Sequence, residues 1–182
     1  MFDGPLTQRR LGRDLWSLGL VLLLVGLLGW APGAAAQSSS PQAAQSPEKR
    51  IALVVGIGKY EFAPELQNPV NDAKAIAEAL RTLQFDVDEK FDMDNRGFER
   101  ALRDFGIRAS QADVAVIFYA GHGIQVGGNN YIVPADAKLE RERDLVYEAM
   151  PLNLPMGELS QARKLGILML DSCRNNPFVD RL

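Results

Sequence analysis

Residues 114–123, VAVIFYAGHG, form an unbroken apolar run that ends in a histidine held between two glycines. A run of β-branched, aliphatic and aromatic residues without polar alternation reads as a strand buried on both faces, the pattern of parallel sheets. Two similar runs flank it. Residues 51–57, IALVVGI, close in Gly56 and Gly58, and residues 165–170, LGILML, lead into Asp171-Ser172-Cys173.

Helical patterns separate these strands. Asn68 to Leu83 places Val70, Ala73, Ile76, Ala77, Leu80 and Leu83 at helical spacing, with Asn71 or Asp72 where an N-cap is expected. Phe98, Ala101, Leu102 and Phe105 mark a second amphipathic helix. Between the two helices, Phe85 to Phe91 alternates like a more exposed strand at a sheet edge. Gly127-Gly128-Asn129-Asn130 divides two short extended pieces, a hairpin signal. Asp136 to Met150 is highly charged and reads as a surface loop or short helix, and Pro155 to Ala162 reads as a helix. Strand and helix in alternation predict an α/β domain with a mainly parallel sheet covered on both faces.

The 182 residues suit one folded domain, and 24% charged residues with a net charge of −3 show no basic face for nucleic acid. Residues 1–36 read as a signal peptide. Arg9, Arg10 and Arg13 precede an apolar stretch from Leu15 to Trp30, and Ala34-Ala35-Ala36 offers a cleavage site. Export to the periplasm or medium is therefore expected. A membrane becomes a partner only if the segment stays uncleaved as an anchor. Residues 37–49, rich in Ser, Gln, Ala and Pro, read as a flexible linker, and residues 50–182 as the folded domain.

The chain holds one Cys and one His. Neither an internal disulfide nor a zinc site of several Cys and His ligands can form. His122 and Cys173 both lie just past the ends of buried strands, where open α/β sheets place their sites. If those strands are neighbours, a thiol and an imidazole meet there, and the imidazole supplies the base that a thiol of ordinary pKa needs at neutral pH. The amides of Gly123 and Cys173 are candidates to hold an oxyanion. No residue nearby identifies itself as the group that orients His122. The plainer reading makes Cys173 a small core residue and His122 a loop residue.

The motifs Phe118-Tyr119-Ala120-Gly121-His122-Gly123 and Asp171-Ser172-Cys173-Arg174 closely resemble the histidine and cysteine motifs of metacaspases and their bacterial relatives. Their 51-residue separation is near the roughly 50 of caspases. Ile51 to Tyr60 and Asn71-Asp72-Ala73 are similar to the family's first strand and the loop into its first helix. The resemblance covers about Arg50 to Phe178.

It implies a caspase–haemoglobinase-like three-layer sandwich and a cysteine endopeptidase with His122 and Cys173 as its dyad. It further implies cleavage of peptide or protein substrates after Arg or Lys, with Asp72 and Asp171 in the primary specificity pocket. Two carboxylates at one sheet rim suit a guanidinium or ammonium group. The plainer alternatives are a helix N-cap for Asp72 and a polar strand terminus for Asp171. In this family a smaller subunit follows the catalytic Cys, whereas this chain stops nine residues beyond it. A separate small-subunit-like chain is thus an expected partner, and the rival reading is an inactive binding or regulatory module. A flavodoxin-like domain is a third reading, although Gly56 and Gly58 make no convincing phosphate loop. No cofactor and no metal site is expected: Asp136, Asp144 and Asp180 are scattered, where calcium wants six or more clustered oxygens.

Overall fold

A computed structural model describes residues 47–172 together with Phe178. The signal segment, most of the linker and Cys173 lie outside the described residues. Four strands make one parallel sheet. They are β1 (Arg50–Gly56), β2 (Asp86–Phe91), β3 (Val114–Ala120) and β7 (Leu165–Asp171), in the spatial order β2-β1-β3-β7. A smaller antiparallel sheet holds β4 (Gly123–Val126), β5 (Asn129–Ile132) and β6 (Met150–Pro151). Helices α1 (Pro69–Thr82), α2 (Asn95–Ala109), α3 (Leu145–Glu148) and α4 (Asn153–Leu159) complete the order, with a short 3₁₀ turn at Glu142–Asp144.

Side-chain alternation along the strands sorts the core into two layers. Ile51, Leu53 and Val55 of β1, with Ala115, Ile117 and Tyr119 of β3, pack on Phe98, Leu102 and Phe105 of α2 and Leu159 of α4. Ala52 and Val54, with Val116, Phe118 and Ala120, pack on Ala73, Ala77 and Leu80 of α1. Every residue from Ile51 to Val55 is fully buried, as a central strand covered on both faces requires. The fold is a caspase-like three-layer sandwich.

Several elements depart from the sequence expectation. Helix α1 begins at Pro69, with Asn68 as N-cap, so neither Asn71 nor Asp72 caps it. Proline at the first helical position has no N–H to satisfy and starts the helix three residues earlier than the polar pair suggests. Helix α4 starts at Asn153 and stops at Leu159, short of Ala162. The hairpin turn is Gly127-Gly128 alone, both at positive φ (57° and 81°), as two-residue turns of this type demand.

The largest departure is β7, which is not the buried strand that its apolar run predicts. Leu165, Ile167, Met169 and Leu170 are 37–50% exposed. Apolar composition is a demand for cover, and cover depends on neighbours. Leu168 packs towards the α2 and α4 layer. Ile167 and Met169 pair with Val116 and Phe118 and share the α1 face, yet they remain exposed. Strand β7 is also an outer strand of its sheet among the described residues.

Candidate active site

Strands β3 and β7 are neighbours in register, with Ala120 opposite Asp171. The two strands' segments continue together past their last paired residues. The Gly121 amide donates to the Asp171 carbonyl oxygen at 3.2 Å. A methyl on Gly123 would stand 2.9 Å from Ser172 Oγ and 3.3 Å from Ser172 Cβ. Residues 121–123 thus run directly against Asp171 and Ser172, and glycine at 123 is what lets the two segments approach so closely. Cys173, the next residue, lies outside the described residues, and with it the second of the two expected oxyanion amides.

His122 is buried, at 8% exposure. Its main chain is tied on both sides. The amide donates to the Tyr60 hydroxyl oxygen at 2.8 Å. The carbonyl accepts from the Tyr119 hydroxyl at 2.7 Å and from the Val133 amide at 3.1 Å. Burial pushes the Tyr119 phenol well above its ordinary range and that of Tyr60 upwards. Both hydroxyls therefore keep their protons near neutrality, and the Tyr60 hydroxyl donates onward to the Ile57 carbonyl at 3.1 Å.

The imidazole is equally constrained. Nε2 lies 2.8 Å from the Pro64 carbonyl oxygen, and the Tyr60 ring packs on the imidazole at 4.5 Å between centroids, tilted by 52°. A carbonyl oxygen only accepts, so Nε2 carries the proton and Nδ1 holds the lone pair of the neutral ring. An imidazole so fixed can take a proton at Nδ1 and remain hydrogen-bonded at Nε2. Sequence reasoning left this orienting role empty. Pro64 fills it through its backbone, which leaves no trace in residue type. Tyr60 carried a weak signal, an aromatic residue in the loop just past the first strand.

Asp171 ends β7 on the face shared with Ala120, the α1 face, and is exposed. Asp72 lies in the first turn of α1 and is partly buried. That turn sits on the end of β1, since a methyl on Gly56 would meet the Pro69 carbonyl oxygen at 2.6 Å and Ala73 Cβ at 2.9 Å. Both carboxylates therefore belong to the same rim and the same face of the sheet. With Asn68 as the cap, Asp72 is not the N-cap. Beside the rim a cleft of about 220 Å³ runs from Gly123 and Ser172 across Ile124, Tyr131, Leu152 and Leu170.

Comparison with known proteins agrees with this architecture. The caspase domain model of peptidase family C14 matches residues 49–181. The mucosa-associated lymphoid tissue lymphoma translocation protein 1 of Homo sapiens is 27% identical over 131 residues, and so is its Mus musculus homologue. Each match covers 72% of this chain and 16% of the relative, so the chain spans about a sixth of those proteins. Among solved structures, protein GSU0716 from Geobacter sulfurreducens superposes with a TM-score of 0.56 at 19% identity. That match covers 72% of this chain and 53% of the other, and it speaks to the fold alone. The histidine turn, the adjoining strand β7 and the match along nearly the whole folded region lead to one conclusion: the chain belongs to the caspase-domain family of cysteine peptidases.

Proposed function

We propose that this chain is a cysteine endopeptidase that cleaves after Arg or Lys with Cys173 as nucleophile and His122 as base. The observation that carries the reading is the pairing of β3 with β7, which brings His122 and Ser172 to one rim of the sheet. The residue after Ser172 is the chain's only cysteine.

In this mechanism the thiol proton passes to Nδ1 of His122, and the thiolate attacks the scissile carbonyl carbon. The amides of Gly123 and Cys173 hold the oxyanion of the tetrahedral intermediate. As the C–N bond breaks, the proton on Nδ1 goes to the leaving amine. Water then gives a proton to Nδ1 as its oxygen attacks the thioester carbonyl; the C–S bond breaks, the acid product leaves, and the thiolate takes the proton back from Nδ1. The Pro64 carbonyl stabilises the imidazolium through Nε2–H at each charged stage. Asp72 and Asp171 receive the Arg or Lys side chain before the scissile bond.

The test is hydrolysis of fluorogenic peptides ending in Arg or Lys. Cys173→Ala and His122→Ala are expected to abolish turnover, and turnover that survives Cys173→Ala would refute the mechanism.

One observation favours a second arrangement. Strand β7, whose end carries Asp171 at the proposed site, exposes Leu165, Ile167, Met169 and Leu170 along its length. A separate small-subunit-like chain that adds a strand there would cover this surface and complete the cleft. Alone, the chain then acts as a binding or regulatory module. Activity that appears only on adding such a chain distinguishes the two. We also propose an exported protein, released by cleavage after Ala36, on the strength of the basic and apolar segments before it. Mass spectrometry of the mature protein checks the cleavage site.

A further inference from the structure

The loop between β1 and α1 does more than connect them. It delivers both the Tyr60 hydroxyl and the Pro64 carbonyl to His122. The loop is itself braced: the Leu66 amide donates to the Gly58 carbonyl at 2.8 Å, and the Glu61 amide to the Ala135 carbonyl at 2.8 Å. At its root the Asp92 carboxylate accepts the amides of Gly58 at 2.8 Å and Lys59 at 3.0 Å. Asp92 follows β2 directly and adopts a left-handed backbone with φ of 48°, a conformation that Asn and Gly tolerate and most residues avoid. Its own amide donates to the Gly56 carbonyl at 3.0 Å, so the ends of β1 and β2 hold the loop between them.

We propose that Tyr60 is a positioning residue for His122, acting on both its main chain and its ring, and that Asp92 positions Tyr60 by bracing the loop. Tyr60 accepts the His122 amide through its hydroxyl and packs its ring on the imidazole. Two constraints on one side chain fix where the ring sits and how it is turned. Nε2 then stays on the Pro64 carbonyl, and Nδ1 keeps its lone pair for the thiol proton. Without them the imidazole is free to rotate and to exchange tautomers, and a base whose lone pair is misdirected transfers protons slowly. This inference rests on the reading of His122 as the base, and its test is chosen to be separable from that reading.

His122 is the chain's only histidine, so its two ring nitrogens give a single pair of NMR resonances in the full chain. For the neutral imidazole of the wild-type protein the shifts of a protonated Nε2 and an unprotonated Nδ1 are expected. Tyr60→Phe is expected to move both resonances towards the tautomer average. In parallel it is expected to lower kcat on Arg- and Lys-ending peptides about tenfold, with KM held within about twofold. Asp92→Gly keeps the left-handed backbone and removes the carboxylate, and it is expected to shift the resonances in the same direction. Asp92→Asn, which retains an acceptor, is expected to restore most of the wild-type spectrum.

Wild-type resonances in a folded Tyr60→Phe protein overturn the inference. If that variant does not fold, wild-type resonances in Asp92→Gly overturn it instead. A wild-type chain that cleaves no peptide, alone or with an added small-subunit-like chain, defeats the peptidase proposal, while the nitrogen shifts still decide the role of Tyr60.

Discussion

Gly121 is tightly enclosed by two buried phenols, and replacing it with alanine gives a calculable result. A methyl there would lie 2.5 Å from the Tyr119 hydroxyl oxygen, 2.7 Å from that of Tyr60 and 2.8 Å from Tyr119 Cζ. Ordinary contact begins near 3.4 Å, so the two phenols fall short by about 0.9 and 0.7 Å. Neither ring can swing away freely, because Tyr119 is fully buried and Tyr60 is 8% exposed. The backbone φ of 156° adds strain for any L side chain. Overpacking of this kind costs about 1–3 kcal/mol. Loosening the hydrogen bonds that Tyr60 and Tyr119 make to His122 adds about 1 kcal/mol each. A total near 3–5 kcal/mol is expected for Gly121→Ala, read as a lower urea midpoint by circular dichroism. The sharper assay is a double-mutant cycle with Tyr119→Phe, which deletes the atom of closest approach. The double variant should lose at least about 1 kcal/mol less than the sum of the single losses. Additive losses would refute the claim that the hydroxyls crowd Gly121.

Three other outcomes are expected. Because burial raises the phenol pKa of Tyr119 and Tyr60, the protonated forms favour the fold. Their contribution is fully present below the unfolded phenol value of about 10 and fades as pH rises through the folded values. Thermal melts from pH 8 upward should therefore fall steeply above about pH 10, and Tyr119→Phe should flatten that fall. Asp72→Ala or Asp171→Ala should reduce kcat/KM for Arg and Lys peptides by roughly 10- to 100-fold, measured against a peptide with an uncharged residue at the same position. The lone cysteine has no partner for an internal disulfide. Peroxide should accordingly silence peptidase activity, and dithiothreitol should restore the disulfide-linked and sulfenic fraction; equal rates with and without reductant would argue against an exposed thiolate.

The anchoring of His122 follows a simple physical logic. The residue proposed as the base sits on a loop at the strand ends, and loops are the least rigid part of a parallel-sheet fold. Here the loop residue is locked by hydrogen bonds on both sides of its peptide unit and by a carbonyl on its ring. The four partners come from three segments: Tyr60 and Pro64 from the β1–α1 loop, Tyr119 from strand β3, and Val133 from the residues after β5.

Much of this protein was legible in residue order. Continuous apolar runs announced β1 and β3 because buried central strands tolerate no polar alternation, and every residue of each strand after its first is buried. The periodicity of Ala73, Ala77 and Leu80 announced α1, since burial on one helix face recurs every three to four residues. The Gly-His-Gly turn and the Asp-Ser-Cys run announced two strand ends of one family. What residue order does not contain is which strands lie side by side and what covers them. Strand β7 has the composition of a core strand, yet its exposure was decided by the absence of a layer over Ile167 and Met169 among the described residues. The orientation of His122 was decided by a backbone carbonyl at Pro64 and by hydroxyls that converge from residues 60 and 119. Local pattern records what each residue needs, whereas contacts between distant segments, which only the folded chain brings together, determine whether and by whom that need is met.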